Sequence, residues 1–356
     1  MRQTATAQQS VQQQQHQRRR WRARWRALVA RQELVILALL IMVITALSLQ
    51  SENFLSAPNL LNVMRGVSWF AVAAFGVSMV ILIGGIDLSS GAVMALAGLV
   101  SALALQSGMP LAPALASGVA CGVLVGLVNG VLVGRFNLPP FIVTLGMMGL
   151  VRGVTFGLSG GRPVRDLPPA FRALGQNDIW IGPLPVPIPL LAMALLATLT
   201  AILLNFTVLG RYIYTLGRDE RALRMAGVPT EWIKITVYTL SGLLAACGGL
   251  IMTAWLGVAA PTAAEGYELD IIAAAVIGGT SLFGGEGSVL GVMLGALLMQ
   301  LVRTGMVLLG FPTYWQVGAI GTMILAVVLI DYWRRRRWYE SNAPPTNVWA
   351  THAPMI

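Results

Sequence analysis

Long apolar runs separated by short polar stretches dominate this chain. About 20 apolar residues cross the hydrocarbon core of a bilayer as a helix, and only helices or closed barrels satisfy their backbone groups there. The pattern therefore predicts an all-α, polytopic transmembrane helical bundle of about ten spans. The predicted spans are 34–50, 67–85, 92–105, 112–133, 140–158, 188–208, 236–256, 269–283, 288–309 and 314–330.

The third and eighth predicted spans are the shortest and are rich in glycine. A broken or partly re-entrant helix has this pattern as readily as a full crossing, so the sequence leaves open whether either one crosses the membrane.

Composition agrees with this prediction. The 356 residues are 56% hydrophobic and 11% charged, with a mean hydropathy of +0.73, whereas soluble domains are about one-quarter charged. The net charge of +10 would suggest nucleic acid as a partner if it covered a folded surface. The basic residues instead gather at the two ends and in one loop, which is typical of membrane topology signals.

The basic residues predict that both termini are cytoplasmic. Cytoplasmic loops carry an excess of Lys and Arg, and ten spans place eighteen of the 24 basic residues on that side. Four remain in the outer loops, namely Arg65, Arg162, Arg165 and Arg172. This asymmetry supports a multi-pass membrane protein with that topology.

Three regions are predicted. Residues 1–33 form a disordered Gln/Arg-rich cytoplasmic leader on anionic lipid, residues 34–333 the transmembrane domain, and residues 334–356 a cytoplasmic tail. A cleaved signal peptide does not fit, because the charged region is too long and no small-residue cleavage site follows the first apolar run.

The residues needed for common enzyme chemistry are missing from the spans. A Walker A sequence ends in Gly-Lys-Ser/Thr, and the only lysine, Lys234, follows Ile233. Both histidines, His16 and His352, lie in the tails. The sequence therefore predicts no catalytic residue, no metal site and no cofactor in this chain.

The polar segment from Leu209 to Ile235 contains a predicted short helix, Asp219–Ala226. Asp219 begins it, Gly227 takes a C-cap position and Pro229 prevents its continuation. Such a helix can lie on the membrane surface or dock into a cytoplasmic partner, with Leu223 and Met225 as apolar anchors. From the residues alone, membrane-surface binding and docking into a partner are equally favoured.

Five charged residues lie within or at the edges of predicted spans. A helix-capping role is favoured for Asp87, whereas Glu268 and Asp270 are balanced between capping and a functional role. Arg152 and Arg303 are expected to extend their long side chains toward the membrane interface.

A faint internal repeat relates the two halves. Residues 84–91 (GGIDLSSG) resemble residues 278–285 (GGTSLFGG) at an offset of 194, and the same offset superposes spans one to four on spans seven to ten in parallel orientation. Repeats of this kind are common in transporters, but glycine-rich apolar segments also match by chance.

Four blocks resemble the permease subunits of bacterial ABC importers for monosaccharides, of the ribose/xylose/arabinose/galactoside type. They are VILIGGIDLSSGAVMALAG (80–98), FIVTLGMMGLVRGVTFGLSGGRPV (141–164), LGRYIYTLGRDERALRMAGV (209–228) and GYELDIIAAAVIGGTSLFGGEGSVLGVMLGALL (266–298). The resemblance covers residues from about 53 to 331. It implies a permease that forms a homodimer or heterodimer, a periplasmic sugar-binding protein that delivers the substrate, and two cytoplasmic ATPase subunits that hold the ATP and Mg²⁺.

The resemblance also favours docking over the lipid-surface interpretation of the short helix. It implies an ATPase-coupling segment made of Gly217, Arg218, Asp219, Glu220, Arg221, Leu223, Arg224, Met225 and Gly227. The family usually has Gly-Gly-Asn followed by small or acidic residues here, so the charged sequence of this chain implies a more acidic groove in its ATPase. Two smaller departures are Ser90, where valine is common, and Glu286, at a variable polar position.

Two further sets of residues are expected to touch the substrate or the binding protein. A sugar path needs polar groups without a tight site, and the candidates for lining it are Asn129, Thr144, Thr280, Ser281 and Gln300. Hydrogen bonding between helices is the favoured alternative for each of them. The candidate contacts for the binding protein are Arg162, Arg165, Arg172, Glu265 and Glu268.

Two other classes of protein were weighed. A secondary transporter driven by an ion gradient should carry buried carboxylate or histidine pairs in mid-span, and a membrane-bound enzyme should cluster His, Asp or Cys at one face. The sequence indicates neither pattern. It does not identify the sugar.

Overall fold

The computed structural model describes residues 32–312, 314–323, 325 and 329. The part of the chain up to Gly310 and the part from Phe311 onward are separate compact units. The helices of the first unit are α1 (Gln32–Gln50), α2 (Ala57–Leu82), α3 (Ser90–Gln106), α4 (Leu111–Gly134), α5 (Pro140–Ser159), α6 (Pro169–Gln176), α7 (Ile188–Phe206), α8 (Val208–Arg218), α9 (Glu220–Met225), α10 (Thr230–Leu256), α11 (Tyr267–Ile277) and α12 (Val289–Leu308).

Six of these helices, α2, α4, α5, α7, α10 and α12, are long and apolar enough to cross a membrane. They confirm an all-α membrane bundle. Two further apolar helices, α3 and residues 34–50 of α1, have 17 residues each. Helix α11 has only 11 residues, which rise about 16 Å, half of a hydrocarbon core. The eighth predicted span is therefore a half-length helix.

The second unit and the chain ends are described less completely. Residues 314–323 are helical, within the predicted tenth span. The predicted leader, apart from residues 32 and 33, and the predicted tail, residues 334–356, lie outside the described residues.

Helix α10 lies at the centre of the first unit, packed against α2, α3, α4 and α6. Glycines spaced by four on α4 face it. A Cβ atom on Gly126 would lie 2.3 Å from the carbonyl oxygen of Tyr238, and one on Gly242 would lie 2.2 Å from that of Gly122. Small residues at these positions let the two antiparallel helices approach to backbone contact, as in other membrane bundles.

The first unit has two distinct ends, separated by the 27 residues of α10. The basic end carries Arg135, the basic side chains of α8 and α9, and Lys234 near the start of α10. The hairpin end carries the loop 160–168, α6 and an antiparallel hairpin of β1 (Asp178–Ile181) and β2 (Leu184–Pro187). The hairpin was not predicted from the sequence.

Two glycine turns end α2 and α11 in the same way. Gly84 has a φ of 78°, its N–H donates to Ile81 O at 2.9 Å, and the N–H of Gly85 donates to Val80 O at 2.9 Å. After α11, Gly279 (φ 97°) and Thr280 make the equivalent bonds, each at 2.9 Å. Both are Schellman caps. The two helix ends are therefore alike, but their equivalent residues are 195 positions apart, one more than the offset of the sequence match.

The chain differs after each cap. Residues 83–89, the broken segment, are non-helical and lead into α3, which runs beside the second half of α10, with Gly98 against Thr253. Residues 278–288, the glycine loop, turn back through a bond from Ser281 N to Glu286 O of 2.8 Å. Non-helical backbone inside a membrane bundle is tolerated only where protein or a water-filled cavity satisfies it.

Candidate functional site

The broken segment is held by a buried carboxylate. Asp87 is 3% exposed and accepts hydrogen bonds from the N–H of Ser89 at 2.9 Å, the hydroxyl of Ser89 at 2.6 Å and the hydroxyl of Ser241 on α10 at 2.8 Å. The bond from Ser89 N–H supports the predicted capping role, because Ser89 is the N-cap residue of α3. Asp87 also ties the broken segment to α10, which the sequence did not predict.

Two of the predicted path-lining residues contact the broken segment on either side of Asp87. Asn129 on α4 donates from Nδ2 to the Ser89 hydroxyl at 3.0 Å. The hydroxyl of Thr144 on α5 lies 3.1 Å from the carbonyl oxygen of Ile86 and 2.9 Å from that of Pro140 on its own helix. Both side chains are buried. We name Asp87, Ser89, Asn129, Thr144 and Ser241 the polar cluster; it brings α4, α5 and α10 together around the broken segment.

The other three predicted path-lining residues lie elsewhere. Thr280 and Ser281 are buried in the glycine loop. Gln300 lies on α12 beside Gly66 of α2, where its side-chain amide contacts the hydroxyl of Thr304 at 3.4 Å. The sequence could not separate these two groups, because their grouping depends on which helices are neighbours.

At the basic end, α8 packs directly on the end of α2 and on the glycine loop. A Cβ atom on Gly217 would lie 1.9 Å from Leu82 O and 2.4 Å from Gly285 N, and Gly285 N itself donates to Leu82 O at 2.8 Å. The hydroxyl of Tyr214 donates to Gly287 O at 3.0 Å. Helix α8, the end of α2 and the glycine loop therefore meet in backbone contact at one point.

The predicted short helix is present as α9. The side chain of Asp219 accepts from Ala222 N at 3.0 Å, and Gly227 follows the helix with a φ of 78°. This confirms its predicted start and end. Gly217 and Arg218, by contrast, belong to the preceding helix α8 rather than to a loop.

Glu220 connects α9 to α10. One of its carboxylate oxygens accepts from Lys234 at 2.8 Å and from Arg224 at 2.6 Å. Burial acts to raise the pKa of Glu220, but the hydrogen bonds and charges of Lys234 and Arg224 outweigh it and leave that pKa below its ordinary value. A cavity of about 280 Å³ lies between this ion pair and the broken segment, lined by Gly84, Gly85, Glu220, Lys234 and Tyr238 among others.

The two predicted anchors of this helix differ in exposure. Leu223 is 6% exposed and Met225 is 84% exposed. The interpretation of Leu223 as an anchor presented to a partner was therefore wrong, because this side chain is already buried within the chain. The side chain of Met225 is exposed and can contact a partner protein.

The intramembrane arginines have specific partners. Arg152 donates to the carbonyls of Pro261 and Ala263 at 2.9 and 2.8 Å. Arg303 on α12 pairs with Asp270 on α11, donates to the hydroxyl of Tyr267 at 3.0 Å and stacks over its ring at 4.2 Å. Each arginine thus has a partner within the chain, and the pair of Arg303 and Asp270 joins two helices. That both side chains extend toward the membrane interface stays a prediction. Asp270 is an ion-pair partner rather than a cap.

At the hairpin end, four of the five predicted binding-protein contacts, Arg162, Arg165, Arg172 and Glu265, are exposed. Arg165 and Arg172 line an open cleft of about 530 Å³ together with Asp166 and Gly257. Glu268 differs, because its Oε2 atom is buried against Gly91. The sequence signal for the contact between Glu268 and α3 is Gly91, because a residue without a side chain leaves room for the carboxylate.

A multi-spanning helical bundle that contains a non-helical segment with polar side chains is typical of membrane transport proteins. The family described as branched-chain amino acid transport system / permease component matches residues 59–328, and this chain belongs to it. Permeases of this family serve ABC importers and are not themselves enzymes, because a separate subunit hydrolyses ATP. Membership also argues against the alternative of an ion-gradient transporter.

Individual relatives cover most of the chain. The ribose import permease protein of Escherichia coli K12 is 41% identical over 307 residues, which are 85% of this chain and 94% of the relative. The ribose import permease protein of Bacillus subtilis is 38% identical over 297 residues (83% and 91%), and the D-allose transport system permease protein of E. coli K12 is 34% identical over 285 residues (80% and 86%). No solved structure matches the chain.

Proposed function

We propose that this chain is the membrane-spanning subunit of an ATP-driven importer that carries a monosaccharide across the bacterial inner membrane. The observation that carries the proposal is its 41% identity, over 94% of the relative's length, to a ribose import permease. A periplasmic binding protein delivers the sugar, a second permease copy completes the path, and two cytoplasmic ATPase subunits supply the energy.

The basic end is the cytoplasmic end in this proposal, and ten spans keep both termini on that side. The positive-inside rule supports this orientation, because Arg135, Lys234 and the four arginines of α8 and α9 gather there.

Helix α9 is the part that docks into the ATPase. It is short, capped at both ends and carries exposed Met225 beside exposed Arg221 and Arg224. The two arginines suit an acidic groove, and a single exposed apolar side chain suits a pocket within it. Glu220 then connects a displacement of this helix to α10, and Gly217 connects it to the end of α2 and to the glycine loop.

The polar cluster marks the path beside the broken segment. The Asn129 amide bonds the Ser89 hydroxyl, and the hydroxyls of Ser89 and Ser241 bond Asp87. A sugar hydroxyl can exchange with these groups one at a time without a tight site. Asn129 and Thr144 are the strongest of the predicted lining residues for this role, because they meet at the broken segment. Thr280, Ser281 and Gln300 remain candidates for other stretches of the path.

The exposed charges of the hairpin end support a docking surface for the binding protein. Arg165 and Arg172 line the cleft, and Arg162 is exposed three residues before Arg165. Glu265 is exposed on the loop between α10 and α11. This arrangement suits a partner with mainly acidic side chains at its contact.

The test is purification of the chain from its native membranes in mild detergent, followed by mass spectrometry of the copurified proteins. We expect a Walker-type ATPase, and we expect Met225→Asp to reduce its recovery and to abolish ATP-driven uptake of labelled ribose or allose. Ala170→Asp is the matched control, since it adds a carboxylate at an exposed position of α6 at the opposite end. Full ATPase recovery with Met225→Asp would overturn the docking assignment, and uptake that follows an ion gradient without ATP would overturn the importer.

A further inference from the structure

The hairpin exposes an uncharged apolar surface next to a charged one. Residues 179–188 contain no charged side chain, and exposed fractions are 46% for Ile179, 68% for Trp180, 59% for Ile181 and 67% for Leu184. Residues 160–172, at the same end, expose Arg162, Arg165, Asp166 and Arg172. Two neighbouring surfaces of such different character indicate two different surroundings.

The hairpin runs directly into a lipid-facing helix. Strand β2 ends at Pro187, and α7 begins at the next residue, Ile188. Only 22% of the most apolar 18-residue stretch of α7 is buried inside the protein. Its exposed side chains Leu191, Leu195, Leu199, Ile202 and Phe206 form one stripe along the helix. The apolar surface of the hairpin is continuous in the chain with this stripe.

The length of α7 sets the depth of the hairpin. Its 19 residues rise about 28 Å, which is close to the roughly 30 Å thickness of a hydrocarbon core. Its N-terminal end therefore lies at the boundary of that core, and the hairpin lies in the adjacent headgroup layer. Tryptophan is enriched at this level, where an amphipathic ring contacts both apolar and polar surroundings.

The backbone of the hairpin suits a layer that is poor in water. Pro185 and Pro187 of β2 lack the N–H groups that an edge strand otherwise leaves unpaired. One ion pair fixes the hairpin to the bundle, because Arg65 on α2 bonds Asp178 at the start of β1 at 2.7 Å. The charged end of the hairpin thus points to the protein, and β2 packs on α2 through its partly buried second half. The exposed side chains of Ile179, Trp180, Ile181 and Leu184 are free for lipid.

We propose that the hairpin β1–β2 is an interfacial anchor whose partner is the headgroup layer of the membrane. It holds the hairpin end at a fixed depth and keeps the neighbouring charged loop in water. This inference needs only the membrane bundle and does not depend on the substrate or on ATP, so it can fail while the proposed function stands.

The test uses the full chain, with Cys121 and Cys247 replaced by alanine, reconstituted in phosphatidylcholine vesicles. A single cysteine at Ile181→Cys or Leu184→Cys carries the fluorophore NBD, and Arg162→Cys is the matched control on the charged loop. Iodide is present on both sides of the vesicle membrane, so that the orientation of the protein does not affect its access. A second series replaces iodide with lipid bearing a nitroxide near the headgroup.

We expect iodide to quench the probes at 181 and 184 at least threefold less than the probe at 162, and the nitroxide lipid to show the reverse order. Equal iodide quenching at all three positions would overturn the proposal and would assign the hairpin to a water-facing surface that contacts a protein. Two hairpin positions keep the test valid if one labelled variant fails to insert, and flotation with the vesicles identifies such a failure.

Discussion

The carboxylate of Asp87 accepts a hydrogen bond from the hydroxyl of Ser241 at 2.8 Å, although 154 residues separate them in the chain. The bond joins the broken segment to the central helix α10 inside the bundle. Buried polar groups that lose their partners cost about 1–3 kcal/mol each, so this contact is expected to decide whether the broken segment keeps its position.

Replacement of Asp87 tests that role. We expect Asp87→Ala to lower the free energy of unfolding by about 1–3 kcal/mol, because the N–H of Ser89 loses its acceptor, and Asp87→Asn to have a smaller effect because it keeps an acceptor oxygen. The measurement is the thermal midpoint in detergent. Glu265→Ala is the control at an exposed position, where substitutions change stability by less than about 0.5 kcal/mol. Equal midpoints for Asp87→Ala and this control would contradict the prediction.

The ion pairs of Glu220 predict a pH dependence. The pKa of Glu220 lies below its ordinary value of 4.5 in the folded chain, so the ionised form is favoured by folding. Its stabilisation is fully present above that ordinary value and is lost as the pH falls through the lower folded-state pKa. We expect the thermal midpoint of the wild type to exceed that of Glu220→Gln at pH 7, with the difference disappearing in acid. A difference that stays constant down to pH 3 would show that these ion pairs do not stabilise the junction of α9 and α10.

The backbone contact at Gly217 predicts that a larger side chain is not tolerated there. A Cβ atom would overlap Leu82 O and Gly285 N, and overpacking of this kind costs about 1–3 kcal/mol. We expect Gly217→Val to lower the thermal midpoint and to uncouple uptake from ATP while the protein still inserts. Thr215→Val, at an exposed position of the same helix, is the matched control. Similar midpoints and similar uptake for the two variants would exclude the proposed junction.

The buried pair of Asp270 and Arg303 predicts strong coupling in a double-mutant cycle. Asp270 is 7% exposed and Arg303 21% exposed, and removal of one partner from a buried pair costs about 3–5 kcal/mol, while replacement of both by apolar residues is close to neutral. We expect Asp270→Leu and Arg303→Met each to lower the thermal midpoint more than the double variant does. The exposed pair of Arg135 and Glu231 serves as the control, with coupling of about 0–1 kcal/mol. Additive single effects at the buried pair would contradict its assignment as one unit.

Prediction from the sequence succeeded where the signal is local. The apolar runs located the six long helices, and Asp219 and Gly227 marked the ends of α9. Each of these features depends on a few consecutive residues, because apolar periodicity and capping act within a few turns of helix. The hairpin was missed, since the prolines of β2 weaken a strand signal.

The sequence by itself determined that this protein is a membrane-embedded permease with a short capped helix in its longest basic loop. Only the tertiary structure decided which polar residues act together. Asp87 and Ser241, or Asp270 and Arg303, occupy different helices, and their partnership depends on how closely those helices pack. That packing is set by small residues such as Gly126 and Gly242. The same dependence explains why Leu223 is buried while Met225, two residues away, is free for a partner.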